Sequence, residues 1–276
     1  VVATVSGAFD SSNNKVILAF ESSGDCSASG YYGCAVVGTV SGTSISFGTI
    51  VEFDDGGGIY HGAVTVDSNS NKVVIAYPDQ DDSGKGRAIV GTVSGTSISF
   101  GSSTVFNAGG TTRDIAATFD TTNNKVVIAY QDDGNSDYGT AIVGTVSGTS
   151  ISFGSEVVFS SATSDEMTQI AFIPGHGVLI GFGTSGDGKA IYGTVSGTSI
   201  SFDTATTFGD ADGYAGIIIA YDSENGKAIV IYEDNNDSNS GNARTVGGIP
   251  EFSSLLMPIA SVLLIVGFNY RRRESS

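Results

Sequence analysis

The sequence predicts an all-β protein built from five tandem repeats of about fifty residues, and three observations support this prediction. The string GTVSGTSISF occurs four times, beginning at Gly38, Gly91, Gly144 and Gly193. A second marker precedes each copy and reads, for example, FDTTNNKVVIAY from Phe119. No stretch of ten or more residues in the first 250 positions has apolar residues at helical spacing.

The third repeat shows which strands each unit contains. An alternating stretch ends at Asp120, and the turn formers Asp, Thr and Asn follow it, which predicts a hairpin. A β-branched apolar run, an acidic loop and a second apolar run come next, and Ser147 and Gly148 then turn the chain again. The predicted strands cover residues 114–120, 125–130, 141–147, and 149–153 continued by 156–159. Each repeat is therefore predicted to be a four-stranded antiparallel meander.

The middle strands are apolar at consecutive positions, as in VVIAY and AIVGTV, which is typical of strands covered on both faces. Each unit needs a neighbour on both sides, and radial packing around an axis provides it. The sequence thus predicts a β-propeller over residues 1–249, with stacked β-sandwiches or a β-solenoid as alternatives. The fifth copy of the GTVSGTSISF marker is decayed and begins at Ala243, and the fifth repeat lacks its fourth strand. Either five blades close the ring or the ring is larger. The repeats resemble β-propeller blades of no identified subfamily.

The C-terminal segment, residues 250–276, forms a second predicted unit. Residues 252–270 carry no charge, and as a helix they would measure about 28 Å, close to the roughly 30 Å hydrocarbon core of a bilayer. One transmembrane helix is therefore expected. The arginine cluster after it predicts a cytoplasmic C-terminus, with the repeats on the outside of the cell.

The ends of this segment carry a motif. Pro250, Glu251 and Phe252 precede the apolar stretch, and Arg271, Arg272 and Arg273 follow it. The arrangement is similar to the PEF-CTERM sorting signals that archaeosortases read. The resemblance implies an archaeal cell-surface protein whose tail a sorting peptidase cuts and exchanges for a lipid anchor. Because the chain begins with Val1 and has no apolar leader, we also expect that a start and a signal peptide preceded it.

The composition excludes two classes of site. Asp and Glu number 29 against 12 Lys and Arg, which gives a net charge of -17 and makes nucleic-acid binding untenable. The chain has two Cys and two His, and no Cys/His zinc cluster is predicted. Cys26 and Cys34 lie in one loop of the first repeat, and in an extracytoplasmic protein this pair predicts a disulfide.

The loops at one end of the predicted propeller vary between repeats and are acidic. We call this end the acidic face. Closely spaced carboxylates and Gly turns suit Ca²⁺, although neither matches a helix-loop-helix calcium motif. The alternative is that these carboxylates only keep a surface protein soluble. The candidate ligands are Asp79, Asp81, Asp82, Asp132, Asp133, Asp137, Asp234 and Asp237.

Three functions compete for the acidic face. Repetition favours adhesion, glycan or protein binding, or surface-layer assembly on a membrane-anchored protein, since near-identical blades multiply weak contacts. Loop tyrosines that could stack on a ligand are Tyr31, Tyr32, Tyr60, Tyr138 and Tyr214. The alternatives are a glycoside-active enzyme and a purely structural surface protein.

Catalysis is not expected, and no catalytic residue is assigned. No repeat shows a lone acid, nucleophile and base, and the chain has no Trp on which a sugar could stack. An arginine cluster of Arg87, Arg113 and Arg244 is the remaining route to an enzyme. His61 and His176 are predicted to lie on opposite faces, which excludes a histidine pair.

Overall fold

The computed structural model describes residues 2–24, 26, 30–163, 168–184, 186–209, 216–234 and 240–246. All of them belong to one unit, Val1–Val246. The predicted transmembrane helix and the sorting motif, Pro250 to Phe252 with the three arginines, lie outside the described residues. Within the described ranges, no helix is both long and apolar enough to cross a membrane.

In the described part of the chain, twenty-three strands form five antiparallel sheets, which we call blades 1 to 5 in chain order. Blade 1 contains β1 (Val2–Asp10), β2 (Lys15–Ser22), β3 (Tyr32–Ser41), β4 (Ser44–Phe47) and β5 (Val51–Asp54). Blade 2 contains β6 (Ala63–Asp67), β7 (Lys72–Asp79), β8 (Lys85–Ser94), β9 (Ser97–Phe100) and β10 (Thr104–Asn107). Blade 3 contains β11 (Thr112–Asp120), β12 (Lys125–Asp132), β13 (Tyr138–Ser147), β14 (Ser150–Phe153) and β15 (Val157–Thr163).

The last two blades follow the same order. Blade 4 contains β16 (Gln169–Ile173), β17 (Gly177–Thr184), β18 (Asp187–Ser196), β19 (Ser199–Phe202) and β20 (Thr206–Gly209). Blade 5 contains β21 (Ile217–Asp222), β22 (Lys227–Asp234) and β23 (Ser240–Val246). Two short 3-10 helices, Gln80–Asp82 and Asp133–Asn135, connect the second and third strands of blades 2 and 3. The prediction of an all-β, five-bladed propeller is confirmed.

The structure differs from the predicted meander in the outer strand of blades 1 to 4. That strand is interrupted, and both of its halves pair with the third strand of the blade. In blade 3, β14 pairs with the second half of β13 and β15 with its first half. In blades 1 to 3 the break begins at a glycine, Gly48, Gly101 or Gly154, whose N–H donates to a carbonyl of the third strand; in blade 4 the N–H of Asp203 makes this bond. These blades are therefore five-stranded, with one divided outer strand.

The glycine at the break lies against the next blade. A Cβ atom on Gly101 would collide with the carbonyl oxygen of Thr149, which belongs to the turn before β14. Gly48 meets Thr96 and Gly154 meets Thr198 in the same way. The repeated GTVSGTSISFG string therefore supplies both partners of a backbone contact between neighbouring blades.

The hydrophobic core lies between the blades. Alternate residues of β7 point to opposite neighbours: Ile75 packs with Ile17 and Val37 of blade 1, whereas Val74 packs with Ile128 of blade 3. All of these side chains are fully buried. Burying such a residue is worth about 1.5 to 3 kcal/mol, so packing on both faces explains why the middle strands are continuously apolar.

The turns between the first and second strands are held by an aspartate. Asp120 Oδ1 accepts from the backbone N–H groups of Thr122 and Asn123 at 2.9 and 3.1 Å. The Nδ2 of Asn123 donates to Asp120 Oδ2 at 2.8 Å, and Asn124 adopts a left-handed φ of 54°. Asp10 and Asp222 make the same three bonds in their own turns, and at Asp67 the hydroxyl of Ser70 takes the place of the asparagine amide. The aspartate at the end of each of these first strands therefore holds a local turn.

The disulfide joins Cys26 to Cys34, with Cα atoms 6.0 Å apart. Cys34 lies in β3 and is fully buried, so the bond ties the long loop after β2 to the blade. A loop of this length, eight residues in separation, stabilises the fold by about 2.5 kcal/mol on the chain-entropy model.

Candidate functional site

A pocket of about 530 Å³ lies between the innermost strands of blades 1 to 4. These strands, β1, β6, β11 and β16, contact one another in sequence around the axis of the propeller. Hydrogen bonds join them: Ser6 Oγ accepts from Val64 N at 3.1 Å, and Thr118 Oγ1 accepts from Phe172 N at 3.2 Å. We call this cavity the axial pocket. Its polar lining residues are Ser6, His61, Asp114, Thr168 and Gln169.

Two residues of the axial pocket have an unusual backbone conformation. His61 and Asp114 have φ values of 58° and 47°, in the left-handed region. They occupy the same place in blades 2 and 3, just before or within the start of the inner strand. In β11 the ladder register shifts between Arg113 and Ala116, so Asp114 sits in a bulge. Bulges re-aim side chains, and strained backbone of this kind often marks functional sites.

Thr168 contributes a hydroxyl group that the rest of the described chain does not satisfy. The residue is 3% exposed, and its Oγ1 has no hydrogen-bond partner among the described residues. It lines the axial pocket beside Gln169, which is exposed. A buried hydroxyl without a partner is unfavourable by about 1 to 3 kcal/mol, so this group is suited to bind an incoming polar ligand.

The polar residues gather at one end of the axial pocket. The inner strand of a blade begins where the second strand ends, as the pairing of Thr112 with Asp132 shows. His61, Asp114 and Thr168 lie at these beginnings, next to the loops that follow β7 and β12. The axial pocket therefore adjoins the acidic face.

The acidic loop of blade 2 is neutralised by basic side chains of the same blade. Arg87 lies 2.7 Å from Asp79 through Nε and 2.6 Å from Asp82 through Nη2, and Lys85 Nζ lies 2.8 Å from Asp82. Asp79 also accepts from the Asp82 backbone N–H at 3.1 Å. Hydrogen bonds from Lys85 and Arg87 hold the pKa of Asp82 below its usual value.

The corresponding loop of blade 3 is organised differently. Asp132 is buried and accepts from Gly134 N and from Asn107 Nδ2, both at 3.1 Å. Asp133 pairs with Arg113 at 2.8 Å. Burial and the neighbouring Asp137 raise the pKa of Asp133. The two carboxylates are thus engaged with groups of the protein itself.

The predicted calcium ligands do not converge in the described part of the chain. No group of three or more His, Cys, Asp or Glu side chains is arranged there to hold a metal ion. Asp79, Asp82, Asp132 and Asp133 have the partners given above, and Asp81 lies beside Gly56. The side chain of Asp234 and the whole of Asp237 lie outside the described residues. Calcium binding stays a prediction.

Thermal unfolding tests this prediction. A specific site should raise the free energy of unfolding by about 2.7 kcal/mol when calcium is a hundredfold above its dissociation constant. The measurement compares EDTA, calcium, magnesium and sodium at matched ionic strength. Equal stabilisation by sodium would show that the acidic face is only screened by salt.

The predicted ligand-binding tyrosines differ in position. Tyr31 and Tyr60 are 50% and 49% exposed, which leaves their rings open to a partner. A Cβ atom added to Gly58 would lie 3.5 Å from the Cβ of Tyr31. Because Tyr60 follows Gly58 closely in sequence, both tyrosines belong to the same region of the acidic face. Tyr32 and Tyr138 are half-buried at the starts of β3 and β13. Tyr214 lies outside the described residues.

The basic residues considered for catalysis do not come together. Arg87 and Arg113 are each bound to carboxylates of their own region, and Arg244 lies in β23 of blade 5. His61 lines the axial pocket, while His176 lies in the turn before β17, in a separate cavity with Asp120.

A second cavity of about 450 Å³ lies between blades 1 and 2. We call it the junction cleft, and its central residues are Asp54, Tyr77, Asp79, Arg87 and Ser103. Asp54 is 9% exposed, and its Oδ2 has no hydrogen-bond partner among the described residues. Burial, followed by repulsion from Asp79, raises the pKa of Asp54 to about 7. Burial also raises the pKa of Tyr77.

Sequence reasoning considered Asp79, Arg87 and His61 of these two cavities, but it did not single out Asp54, Asp114 or Thr168 as site residues. Aligning the repeats with one another could have identified some of these residues. His61 and Asp114 occupy one place in blades 2 and 3, and Asp54 occupies the place of Asn107 one repeat later. Polar residues that differ between otherwise similar repeats mark places where the fold does not dictate the side chain.

No protein-family model and no curated relative matches the chain. Solved structures do resemble it. A glucose dehydrogenase has a TM-score of 0.50 at 12% identity, over 88% of this chain and 82% of that one. The exo-β-1,3-galactanase 1,3Gal43A from Clostridium thermocellum has a TM-score of 0.47 at 9% identity, over 90% of this chain and 60% of that one. The β-propeller domain of the Trilobed protease from Pyrococcus furiosus has a TM-score of 0.31 at 9% identity, over 92% and 98%. The first likeness shows a shared fold alone, and the other two are too distant to support an inference.

Proposed function

We propose that the protein is a cell-surface binding protein that takes a glycan into its axial pocket, next to the acidic face, without chemical turnover. The main support for this proposal is the set of residues that line the axial pocket. Four blades each contribute residues of an inner strand, and the buried hydroxyl of Thr168 lacks a partner among the described residues.

The chemistry of the wall suits a polyhydroxylated ligand. Ser6, Thr168 and Gln169 can donate and accept hydrogen bonds, and Asp114 accepts them. Between them lie apolar positions such as Ala116, which can pack on the carbon face of a sugar ring. The volume of about 530 Å³ is within the range of roughly 300 to 1,000 Å³ that small-molecule sites occupy.

Binding without turnover is favoured over hydrolysis by the composition of the same wall. Asp114 is the one carboxylate among the described lining residues, whereas canonical glycoside hydrolysis uses a pair of carboxyl groups on either side of the bond. Exposed Tyr31 and Tyr60 extend the surface available to a longer glycan on the acidic face.

Replacing Thr168 by Val should weaken glycan binding without destabilising the free protein, because the hydroxyl has no partner to lose among the described residues. Combined with Gln169→Ala, we expect roughly a tenfold loss of affinity, since two hydrogen bonds of about 0.5 to 1.5 kcal/mol each disappear. The measurement is a glycan-array screen followed by calorimetric titration of the best ligand.

Thr145→Val is a matched control, because Thr145 Oγ1 is also buried without a partner in the described structure but lies in β13, outside the axial pocket. Equal affinity of the control and the Thr168 variant would place the site elsewhere. The glycan is recovered and analysed by chromatography after incubation, and any shortened product would favour the glycoside-active alternative.

Display on the cell surface rests on the C-terminal sequence, Pro250 to Phe252 with the apolar stretch and the arginines. If a sorting peptidase cuts there, mass spectrometry of the mature protein should find a C-terminus near Phe252 that carries a lipid. An intact C-terminal Ser276 would contradict processing and leave a single-pass anchor to be tested by membrane extraction.

A further inference from the structure

We infer that the junction cleft between blades 1 and 2 is a second binding site, which takes the primary ammonium group of a small organic amine onto Asp54. The site is separate from the axial pocket and independent of the function proposed for it.

The junction between blades 2 and 3 shows the arrangement when all polar groups are satisfied. Asn107 pairs with Gly86 as Asp54 pairs with Gly33, each after a register shift, so the two residues occupy equivalent places. Asn107 Nδ2 donates to Asp132 Oδ1 and to Thr112 Oγ1, both at 3.1 Å. Its Oδ1 accepts from Gly109 N at 2.9 Å.

The junction between blades 1 and 2 lacks these donors. Asp54 stands where Asn107 would be, and Asp79 ends β7 as Asp132 ends β12, so two carboxyl groups replace an amide and a carboxyl group. Tyr77 and the Gly56 backbone donate to Asp54, yet its Oδ2 is left without a partner in the described structure. The junction cleft therefore lacks the N–H donor that the side chain of Asn107 supplies at the equivalent position between blades 2 and 3.

The electrostatics of the junction cleft favour a positively charged donor. Burial, and then repulsion from Asp79 and Asp55, raise the pKa of Asp54 to about 7. Below that pH a proton on Asp54 would take the role of the missing donor. An ammonium group would replace that proton and supply three N–H donors of positive charge.

An organic amine fits better than a metal ion. No three carboxylates converge among the described residues, so a divalent cation would lack its protein ligands. Arg87 already lies 2.7 Å from Asp79 and donates to Ser103 Oγ at 3.3 Å, and Tyr77 is bonded to Asp54 and Ser103, so Asp54 Oδ2 is the acceptor that an ammonium group would meet. The volume of about 450 Å³ admits a short carbon chain behind the ammonium group.

The test uses the full chain and n-butylammonium as the probe, with tetramethylammonium, sodium and calcium as comparison ions. Calorimetric titration at pH 8 should detect n-butylammonium binding, and Asp54→Asn should weaken it at least tenfold. Asn107 shows that an amide is accommodated at the equivalent place, so this variant is expected to fold. Asp203→Asn is the matched control, because Asp203 is exposed and outside the cleft.

Two results would overturn the inference. One is equal binding by wild type and Asp54→Asn; the other is binding of tetramethylammonium, sodium or calcium as tight as that of n-butylammonium. A second measurement does not depend on the variant: carbon NMR of the Asp54 carboxyl group in the wild type. Ten millimolar n-butylammonium, on the order of a saturating concentration for a millimolar site, should lower its apparent pKa by about one unit. An unchanged titration would likewise refute the site.

Discussion

Raising the pH from 4 to 8 should lower the free energy of unfolding of the wild type by about 4 kcal/mol more than that of Asp54→Asn. The wild-type carboxyl group has a pKa of about 7 in the folded protein, against an ordinary value of 3.8. Each pH unit between these values changes the free energy of unfolding by about 1.4 kcal/mol.

The sign follows from proton uptake. Between pH 4 and 7 the folded state holds a proton on Asp54 that the unfolded state has released, so the stability of the wild type falls as the pH rises. The groups that face Asp54 are Asp79 and Arg87 of blade 2, Tyr77, and Asp55 of its own loop. An amide at position 54 carries no charge at any pH and removes this slope.

Chemical denaturation of both proteins from pH 4 to 8 measures the effect. Asp203→Asn controls for the general loss of one negative charge, since Asp203 is exposed. Parallel stability curves for wild type and Asp54→Asn would show that folding does not raise the pKa of Asp54 and would contradict the expected behaviour.

Gly101→Ala should destabilise the propeller by about 3 kcal/mol, because overpacking against rigid backbone is typically unfavourable by 1 to 3 kcal/mol or more. The added Cβ would meet the carbonyl oxygen of Thr149 in the next blade, which cannot rotate away as a side chain could. Ala is otherwise favoured over Gly in a folded chain, so the steric effect opposes the usual trend.

Gly241→Ala is the control, because nothing lies within 4 Å of its added Cβ. Gly48→Ala and Gly154→Ala should behave like Gly101→Ala at the two other junctions. Urea denaturation measures all four variants. If Gly101→Ala lowers the free energy of unfolding no more than Gly241→Ala does, the neighbouring blades can move apart to admit the Cβ atom, and the glycine is not required for their spacing.

Much of the fold could be predicted from short stretches of sequence. The turn at Asp120 depends on side-chain bonds that reach only two or three residues along the chain. The strands follow from apolar runs, and the propeller from their repetition at a nearly fixed period. The division of the outer strand was not predicted, because Gly101 breaks it where the chain meets Thr149 of another blade.

The candidate sites depended on contacts that no single repeat specifies. Arg87 and the carboxylates Asp79 and Asp82 are close in sequence, but their spacing alone could not distinguish ion pairs from a calcium site. Aligning the repeats does reveal Asp54 in the place of Asn107, although not what either residue faces.

By itself, the sequence determined the repeat, the turns, the strand order and the covering of the middle strands on both faces. These features arise from bonds within a few residues and from the burial of apolar runs. Only the tertiary structure decided that Asp54 faces Asp79 across a junction and that His61, Asp114 and Thr168 share an axial pocket. Residues about fifty positions apart meet there because of the distance and angle at which neighbouring blades pack, and these are set by the contacts between the blades.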